Sequence, residues 1–134
     1  MNSEYMLLAW AVVLTVVQML IAVTGATLQV GLPALAGNRE NMPVITGWAG
    51  RAQRAHHNML ENLVLFAALV LVVVFAGKNS SMTLLGAQIF FWARVAYAAV
   101  YLVGVPWLRT GVWFVSMVGL VMLFLPLLQA ASAK

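Results

Sequence analysis

The chain has 134 residues, of which 64% are hydrophobic and only 7% are charged. A water-soluble domain carries about 25% charged residues because its surface needs them, so this composition excludes a soluble fold. The net charge of +4 comes from seven scattered Lys and Arg, too few to build a nucleic-acid-binding surface. The absence of cysteine excludes disulfides, thiolate nucleophiles and cysteine-ligated metals.

Four apolar stretches predict four membrane-spanning helices. About 20 residues at a rise of 1.5 Å each cross a hydrocarbon core of about 30 Å, and every stretch is long enough. Gly31 with Pro33 ends the first helix, Gly77 the second, and Gly104 with Pro106 the third. Short connections favour an all-α, antiparallel transmembrane bundle. We place the helices of this single domain, residues 1–134, at residues 5–30, 50–76, 82–103 and 108–129.

Basic residues favour one side of the predicted membrane. The positive-inside rule therefore predicts that the arginine-rich side is cytoplasmic and that both termini are outside. Lys78 and Lys134 lie on the opposite side, with the amino terminus. The arginine-rich side carries Arg39, Arg51, Arg54 and Arg109.

The second and third helices carry polar residues three or four positions apart, a spacing that predicts one polar face on each helix. Because Arg109 is expected at the same end, this column of cations and hydroxyls predicts a binding site for a carboxylate or a phosphate. The column consists of Arg51, Arg54, Asn58 and Glu61 in the second helix and Arg94, Tyr97 and Tyr101 in the third.

Two of these residues are expected to form an ion pair. Glu61 lies ten residues beyond Arg51, and Arg94 lies ten residues before Gly104, so each is about 15 Å from the same end of the bundle. An isolated charge at mid-bilayer costs at least about 2.5–3.5 kcal/mol, which favours pairing. Such a pair could instead serve only to fix the register of the two helices.

No metal site is predicted. His56 and His57 are the only histidines, and neighbours on a helix point about 100° apart, so the two cannot share one metal ion. The chain also lacks a glycine-rich phosphate loop and a Ser-His-Asp set.

The second helix opens with Arg-Ala-Gln-Arg-Ala-His-His-Asn-Met-Leu-Glu-Asn at residues 51–62. Ala93-Arg94-Val95 with Tyr101 follows in the third helix, and Arg109-Thr110 opens the fourth. This pattern resembles the MAPEG family, the membrane-associated proteins of eicosanoid and glutathione metabolism. The likeness covers essentially the whole chain and is to the small, bacterial-type members that are similar to microsomal glutathione transferase.

The resemblance implies a homotrimer in a bacterial inner membrane that binds glutathione in a cleft between subunits near the cytoplasmic face. It implies a glutathione-dependent transferase or peroxidase, with a small hydrophobic electrophile or a lipid hydroperoxide as its substrate and membrane lipids around it. By matched position, Arg109 and Thr110 would lie near the sulfur as catalytic residues. Glutathione would contact Arg51, Arg54, Asn58, Glu61, Arg94, Tyr97 and Tyr101.

Three positions depart from the pattern of glutathione-using members. Those members have an arginine at the position of His57 and often a histidine at the position of Tyr97. They also have a basic residue near the end of the first helix, where residues 26–30 of this chain are uncharged. Two lost charge-assisted contacts would cost about 1.5–3 kcal/mol each, which weakens a micromolar site to millimolar or beyond. The alternatives are a non-catalytic membrane scaffold, lipid-binding module or accessory subunit, and, thirdly, ion or proton movement along Glu61 and Arg94.

Overall fold

The computed structural model describes residues 3–40 and 42–132, the last three of these by their backbone alone. Its helices, in chain order, are α1 (Glu4–Val30), α2 (Leu32–Ala36), α3 (Gly47–Phe75), α4 (Ser81–Val103) and α5 (Pro106–Ser132). Each of the four long helices is long and apolar enough to cross a membrane. The prediction of a four-helix transmembrane bundle is confirmed, and the chain is a multi-pass integral membrane protein.

Glycine and proline end the helices where the sequence predicted breaks. Gly31 (φ 85°) and Gly104 (φ 92°) both adopt a positive φ, which residues with a Cβ rarely tolerate. Pro106 is the first residue of α5, a position where its missing N–H has no helical partner to lose. The short helix α2 was not predicted, and Pro33 stands in its first turn.

The connection between the first two spans is pinned to the end of α1. The Gln29 side chain donates to the Thr46 carbonyl over 2.6 Å and accepts from the Thr46 amide over 3.0 Å. This pair of bonds holds the residue before α3 against the last turn of α1, and thereby fixes where α3 begins.

At the opposite end, α4 begins with a capping box, in which the Ser80 and Thr83 side chains each accept from the other's backbone amide. The Thr83 hydroxyl is fully buried and also lies 3.4 Å from the Glu4 carboxylate, in the first turn of α1. Glu4 is itself buried. This contact joins α1 to α4 at the end of the bundle remote from the arginines.

Small and aromatic residues pack the helices closely. The rings of Phe66 and Phe90 stack with centroids 4.2 Å apart, joining α3 to α4 in the middle of the apolar core. Gly86 of α4 and Gly119 of α5 face each other so closely that a Cβ on Gly119 would lie 2.5 Å from the Gly86 carbonyl oxygen. Small residues allow such close approach between helices in membranes.

Candidate functional site

Helices α3, α4 and α5 meet around a cavity of about 240 Å³ at the end of the bundle that carries Arg51, Arg54 and Arg109. We call this end the arginine mouth. One cavity residue comes from α3, one from α4 and three from the start of α5, so the site depends on the packing of all three helices. The lining residues are Asn58, Tyr97, Arg109, Thr110 and Trp113.

Arg94 lies behind this cavity and is only 1% exposed. Its Nη2 donates to Oδ1 of Asn58 over 2.7 Å, and its guanidinium carbon lies 4.2 Å from the centroid of the Tyr97 ring. Nε and Nη1 of Arg94 are buried and find no hydrogen-bond partner among the described residues. Arg94 therefore orients two cavity residues and is not itself on the cavity wall.

The amide of Asn58 is held from two sides. Besides the bond from Arg94, Asn62 donates through Nδ2 to the Asn58 carbonyl over 2.8 Å and to Oδ1 over 3.1 Å. The bond from Arg94 and the second bond from Asn62 both engage Oδ1, the acceptor of the Asn58 side chain, which leaves the N–H groups of that side chain as donors. Asn62 was not predicted as a site residue, although its position four residues after Asn58 places it on the same face.

Tyr101 stands between two guanidinium groups at the arginine mouth. Its hydroxyl accepts from Nε of Arg54 over 3.2 Å, and its ring centroid lies 4.6 Å from the guanidinium carbon of Arg109. Tyr97 packs edge-on against Tyr101, with centroids 5.6 Å apart. Two cations held in fixed positions beside a cavity form an electrostatic environment suited to an anion.

Arg51 does not line the cavity. Its Nε donates to the Leu102 carbonyl over 2.9 Å, and its side chain lies so close to Gly104 that a Cβ there would be 3.3 Å from Nε. A cation at the carboxyl end of α4 satisfies a terminal carbonyl and complements the helix dipole. Arg51 thus joins α3 to the end of α4.

The predicted ion pair between Glu61 and Arg94 is wrong. Glu61 is exposed on the outer side of α3 and pairs with no described residue, while Arg94 bonds Asn58 instead. The prediction matched the depths of Glu61 and Arg94 along the bundle, but it did not account for the direction in which Glu61 points. A helix turns about 100° per residue, so the two three-residue steps between Arg51 and Glu61 each fall about 60° short of a full turn, and the four-residue step exceeds one by about 40°. Glu61 therefore points about 80° away from Arg51 around the helix axis.

The start of α5 supplies the two residues predicted near the sulfur, and one that was missed. Arg109 is half-buried and Thr110 exposed, and the Thr110 hydroxyl donates to the Pro106 carbonyl over 3.2 Å. Trp113 was not predicted as a site residue, yet it lines the cavity. Its position four residues after Arg109 was the available signal.

No curated protein and no solved structure matches the chain. The family model described as "MAPEG family" matches residues 5–128. This match covers the four membrane spans except for Glu4 and Gln129 at their outer ends, and it includes the residues described at the arginine mouth, from Arg51 to Trp113. The chain therefore belongs to the MAPEG family.

Proposed function

We propose that the chain is a membrane-bound, glutathione-dependent transferase or peroxidase that acts on hydrophobic electrophiles or lipid hydroperoxides. The observation that carries this proposal is the pair of guanidinium groups, Arg54 and Arg109, fixed on either side of Tyr101 at the arginine mouth. The proposal includes a bacterial inner membrane location with the arginine mouth at the cytoplasmic face, where glutathione is available.

The chemistry of glutathione fits these donors. It carries two carboxylates, and Arg54 can bind one of them in a bidentate manner. Its thiol must ionise to react, and a nearby cation lowers the pKa of a thiol. Arg109 and Tyr97 both line the cavity, and we expect the Arg109 guanidinium and the Tyr97 hydroxyl to stabilise a thiolate. Asn58 supplies a further N–H donor.

Two reactions follow from a bound thiolate. In conjugation, the sulfur forms a bond to an electrophilic carbon while the leaving group departs with the electron pair of its bond. In peroxide reduction, two glutathione molecules are oxidised to the disulfide while the hydroperoxide is reduced to an alcohol and water. Both need an apolar substrate beside the sulfur, and Trp113 offers an apolar surface there.

The size of the cavity supports an assembly of more than one chain. About 240 Å³ is below the roughly 300–1,000 Å³ of typical small-molecule sites, and a tripeptide needs a site of that larger class. A homotrimer in which a neighbouring subunit walls the cleft would supply the missing surface.

The test is thermal unfolding of the detergent-purified protein with millimolar glutathione, paired with conjugation of chlorodinitrobenzene. At ten times its dissociation constant, glutathione stabilises the folded state by about 1.4 kcal/mol, which raises the melting temperature by several degrees. Arg109→Gln should weaken glutathione binding about 10- to 150-fold through loss of a charge-assisted contact. Arg39→Gln removes an exposed arginine of the loop before α3 and is the control.

The proposal would be overturned if millimolar glutathione caused no shift in melting temperature and the protein gave no conjugation. Equal loss of binding in Arg109→Gln and Arg39→Gln would show that general charge, and not the site, attracts the ligand.

One observation favours the second candidate, a non-catalytic scaffold, lipid-binding module or accessory subunit. The Thr110 hydroxyl donates to the backbone of its own helix and leaves no proton for a thiolate. A stable partner that co-purifies in mild detergent, with lipid and no glutathione in the cleft, would favour this candidate.

A further inference from the structure

Three buried polar atoms at the centre of the bundle have no hydrogen-bond partner among the described residues. They are Nε and Nη1 of Arg94, in α4, and Oε1 of Gln18, in α1. Arg94 is 1% exposed and Gln18 is 6% exposed, so neither side chain turns these atoms outward. A fourth such atom, Nδ1 of His56, differs because His56 borders an open groove between α1, α2 and α3. Native proteins pair the large majority of their buried donors and acceptors, so the first three atoms call for a partner.

Gln18 and Arg94 lie at nearly the same depth. Helices α1 and α4 run in the same direction, and the contact between Glu4 and Thr83 sets their register. Counted from that contact, Gln18 is fourteen residues along α1 and Arg94 is eleven residues along α4. The difference of three residues corresponds to about 4.5 Å, which two long side chains can span.

The packing of α1 against α3 gives a second measure of this depth. A Cβ on Gly25 would lie 2.6 Å from the Ala49 Cβ, so these two residues are level. Seven residues from this contact along each of the antiparallel helices, Gln18 is level with His56. Asn58, the hydrogen-bond partner of the arginine, lies only two residues beyond His56, or about 3 Å. The two registers therefore agree.

Gln18 and Arg94 also lie on the faces through which α1 and α4 pack. Ala11 of α1 and Ala87 of α4 are both fully buried and belong to one apolar core cluster. Gln18 is seven residues beyond Ala11, and Arg94 is seven residues beyond Ala87. Seven residues fall about 20° short of two full turns, so each polar residue shares the face of its alanine.

Water is the ligand whose chemistry fits these atoms. An anion would accept from the guanidinium but would repel the Gln18 oxygen, which needs a donor. A water molecule both accepts and donates, and buried waters typically make about three hydrogen bonds to otherwise unpaired polar groups. Polar groups that lie too far apart for a direct hydrogen bond are commonly bridged in this way.

We propose that the bundle binds at least one ordered water molecule between α1 and α4, which accepts from a free nitrogen of Arg94 and donates to Oε1 of Gln18. The cavity at the arginine mouth is lined by residues of α3, α4 and α5. The water joins α1 to the same network, through the bond that Arg94 donates to Asn58. This inference concerns the interior of one chain and does not depend on glutathione.

A density map of the protein in lipid nanodiscs, at a resolution that shows ordered water, tests the site directly. We expect a spherical peak within hydrogen-bonding distance of both Oε1 of Gln18 and a free nitrogen of Arg94. A direct hydrogen bond between the two side chains, or no peak between them, would overturn the inference. A peak that contacts Arg94 alone, as an anion would, also overturns it.

A double-mutant cycle tests the bridge in the purified protein. Gln18→Met and Arg94→Met each remove one end of the bridge and keep an unbranched side chain. The unfolding equilibrium constant in detergent is measured for both single variants and for the double variant. We expect the two substitutions to be coupled about tenfold, the effect of one hydrogen bond to a charged group, because the second removes nothing further from a bridge already broken.

Thr15→Val is the matched control for this cycle. Thr15 is buried on the same face of α1 and is level with Arg94, since it lies eleven residues beyond Glu4. Its hydroxyl donates within α1, to the Ala11 carbonyl over 2.8 Å. The effects of Thr15→Val and Arg94→Met should therefore add. Coupling as large as that of Gln18→Met would overturn the inference, and so would additive effects of Gln18→Met and Arg94→Met.

Gln18→Glu keeps the test decisive if Gln18→Met does not fold. The new carboxylate retains an acceptor oxygen and adds a charge that attracts Arg94, so this variant should melt at or above the temperature of the parent protein. A fall in melting temperature, which an unpaired buried carboxylate would cause, would place Gln18 out of reach of Arg94 and overturn the inference.

Discussion

Arg94 is a cation kept inside a membrane bundle without an acidic partner. Its hydrogen bond to Asn58 contributes about 1.5–3 kcal/mol and its contact with the Tyr97 ring about 2 kcal/mol. Removing a charged group from water costs several kcal/mol, and two of its buried donors have no described partner. The contacts and the desolvation penalty nearly cancel, so Arg94 adds little to stability while it orients two cavity residues.

This balance predicts that Arg94→Met changes the free energy of unfolding by less than about 2 kcal/mol, because the lost contacts and the lost desolvation penalty offset each other. The stabilisation by glutathione should nevertheless fall, since Asn58 and Tyr97 lose the group that orients them. Thermal unfolding with and without glutathione measures both quantities. A loss of about 3–5 kcal/mol with unchanged glutathione stabilisation would instead assign Arg94 the role of fixing helix register.

Spacing alone located most of the polar residues but not their directions. Helical periodicity was enough to bring Asn58 and Tyr97 to one cavity, because they lie on helices that face each other. It failed for Glu61, since small angular offsets add up along a helix. It also missed the engagement of Arg51 with the end of α4, which depends on where Gly104 turns the chain.

At the scale of helices, the crossing of α4 and α5 depends on the absence of two side chains. Gly119→Ala places a Cβ 2.5 Å from the Gly86 carbonyl oxygen and 2.8 Å from the Phe90 amide nitrogen, both backbone atoms that cannot rotate away. We expect a loss of about 1–3 kcal/mol in the free energy of unfolding, measured on the detergent-purified protein.

Gly111→Ala is the matched control on the same helix, because a Cβ there meets nothing within 4 Å. Alanine in a helix is favoured over glycine by about 0.5–1 kcal/mol, so this variant should be neutral or slightly more stable. Similar effects of the two substitutions would contradict a tight crossing.

The breaks between helices were predictable because glycine and proline act locally, as Gly31 and Gly104 show. Helix α2 was not, since its five residues, Leu32–Ala36, follow directly on a break and are too short for periodicity to register. Helix α4 begins at Ser81, one residue before the predicted start at residue 82, which is the usual size of error at a helix end.

For the whole molecule, the distribution of basic residues predicts orientation. Asn79→Cys, in the turn between α3 and α4, should react with a membrane-impermeant maleimide in intact cells. Asn38→Cys, on the arginine-rich side, should react only after permeabilisation. The cysteine-free chain is the blank in both experiments. Reversed labelling would place the arginine mouth on the outside and remove it from cytosolic glutathione.

The buried contact between Glu4 and Thr83 closes the end of the bundle that lies opposite the arginine mouth. Between that end and the arginine mouth lie the stacked rings of Phe66 and Phe90, in the apolar core of the described residues. A water-soluble reactant such as glutathione, and a polar product formed from it, would therefore share the arginine mouth as their doorway. An enzyme with such a doorway should be inhibited by its own conjugate, which would leave by the route along which glutathione arrives.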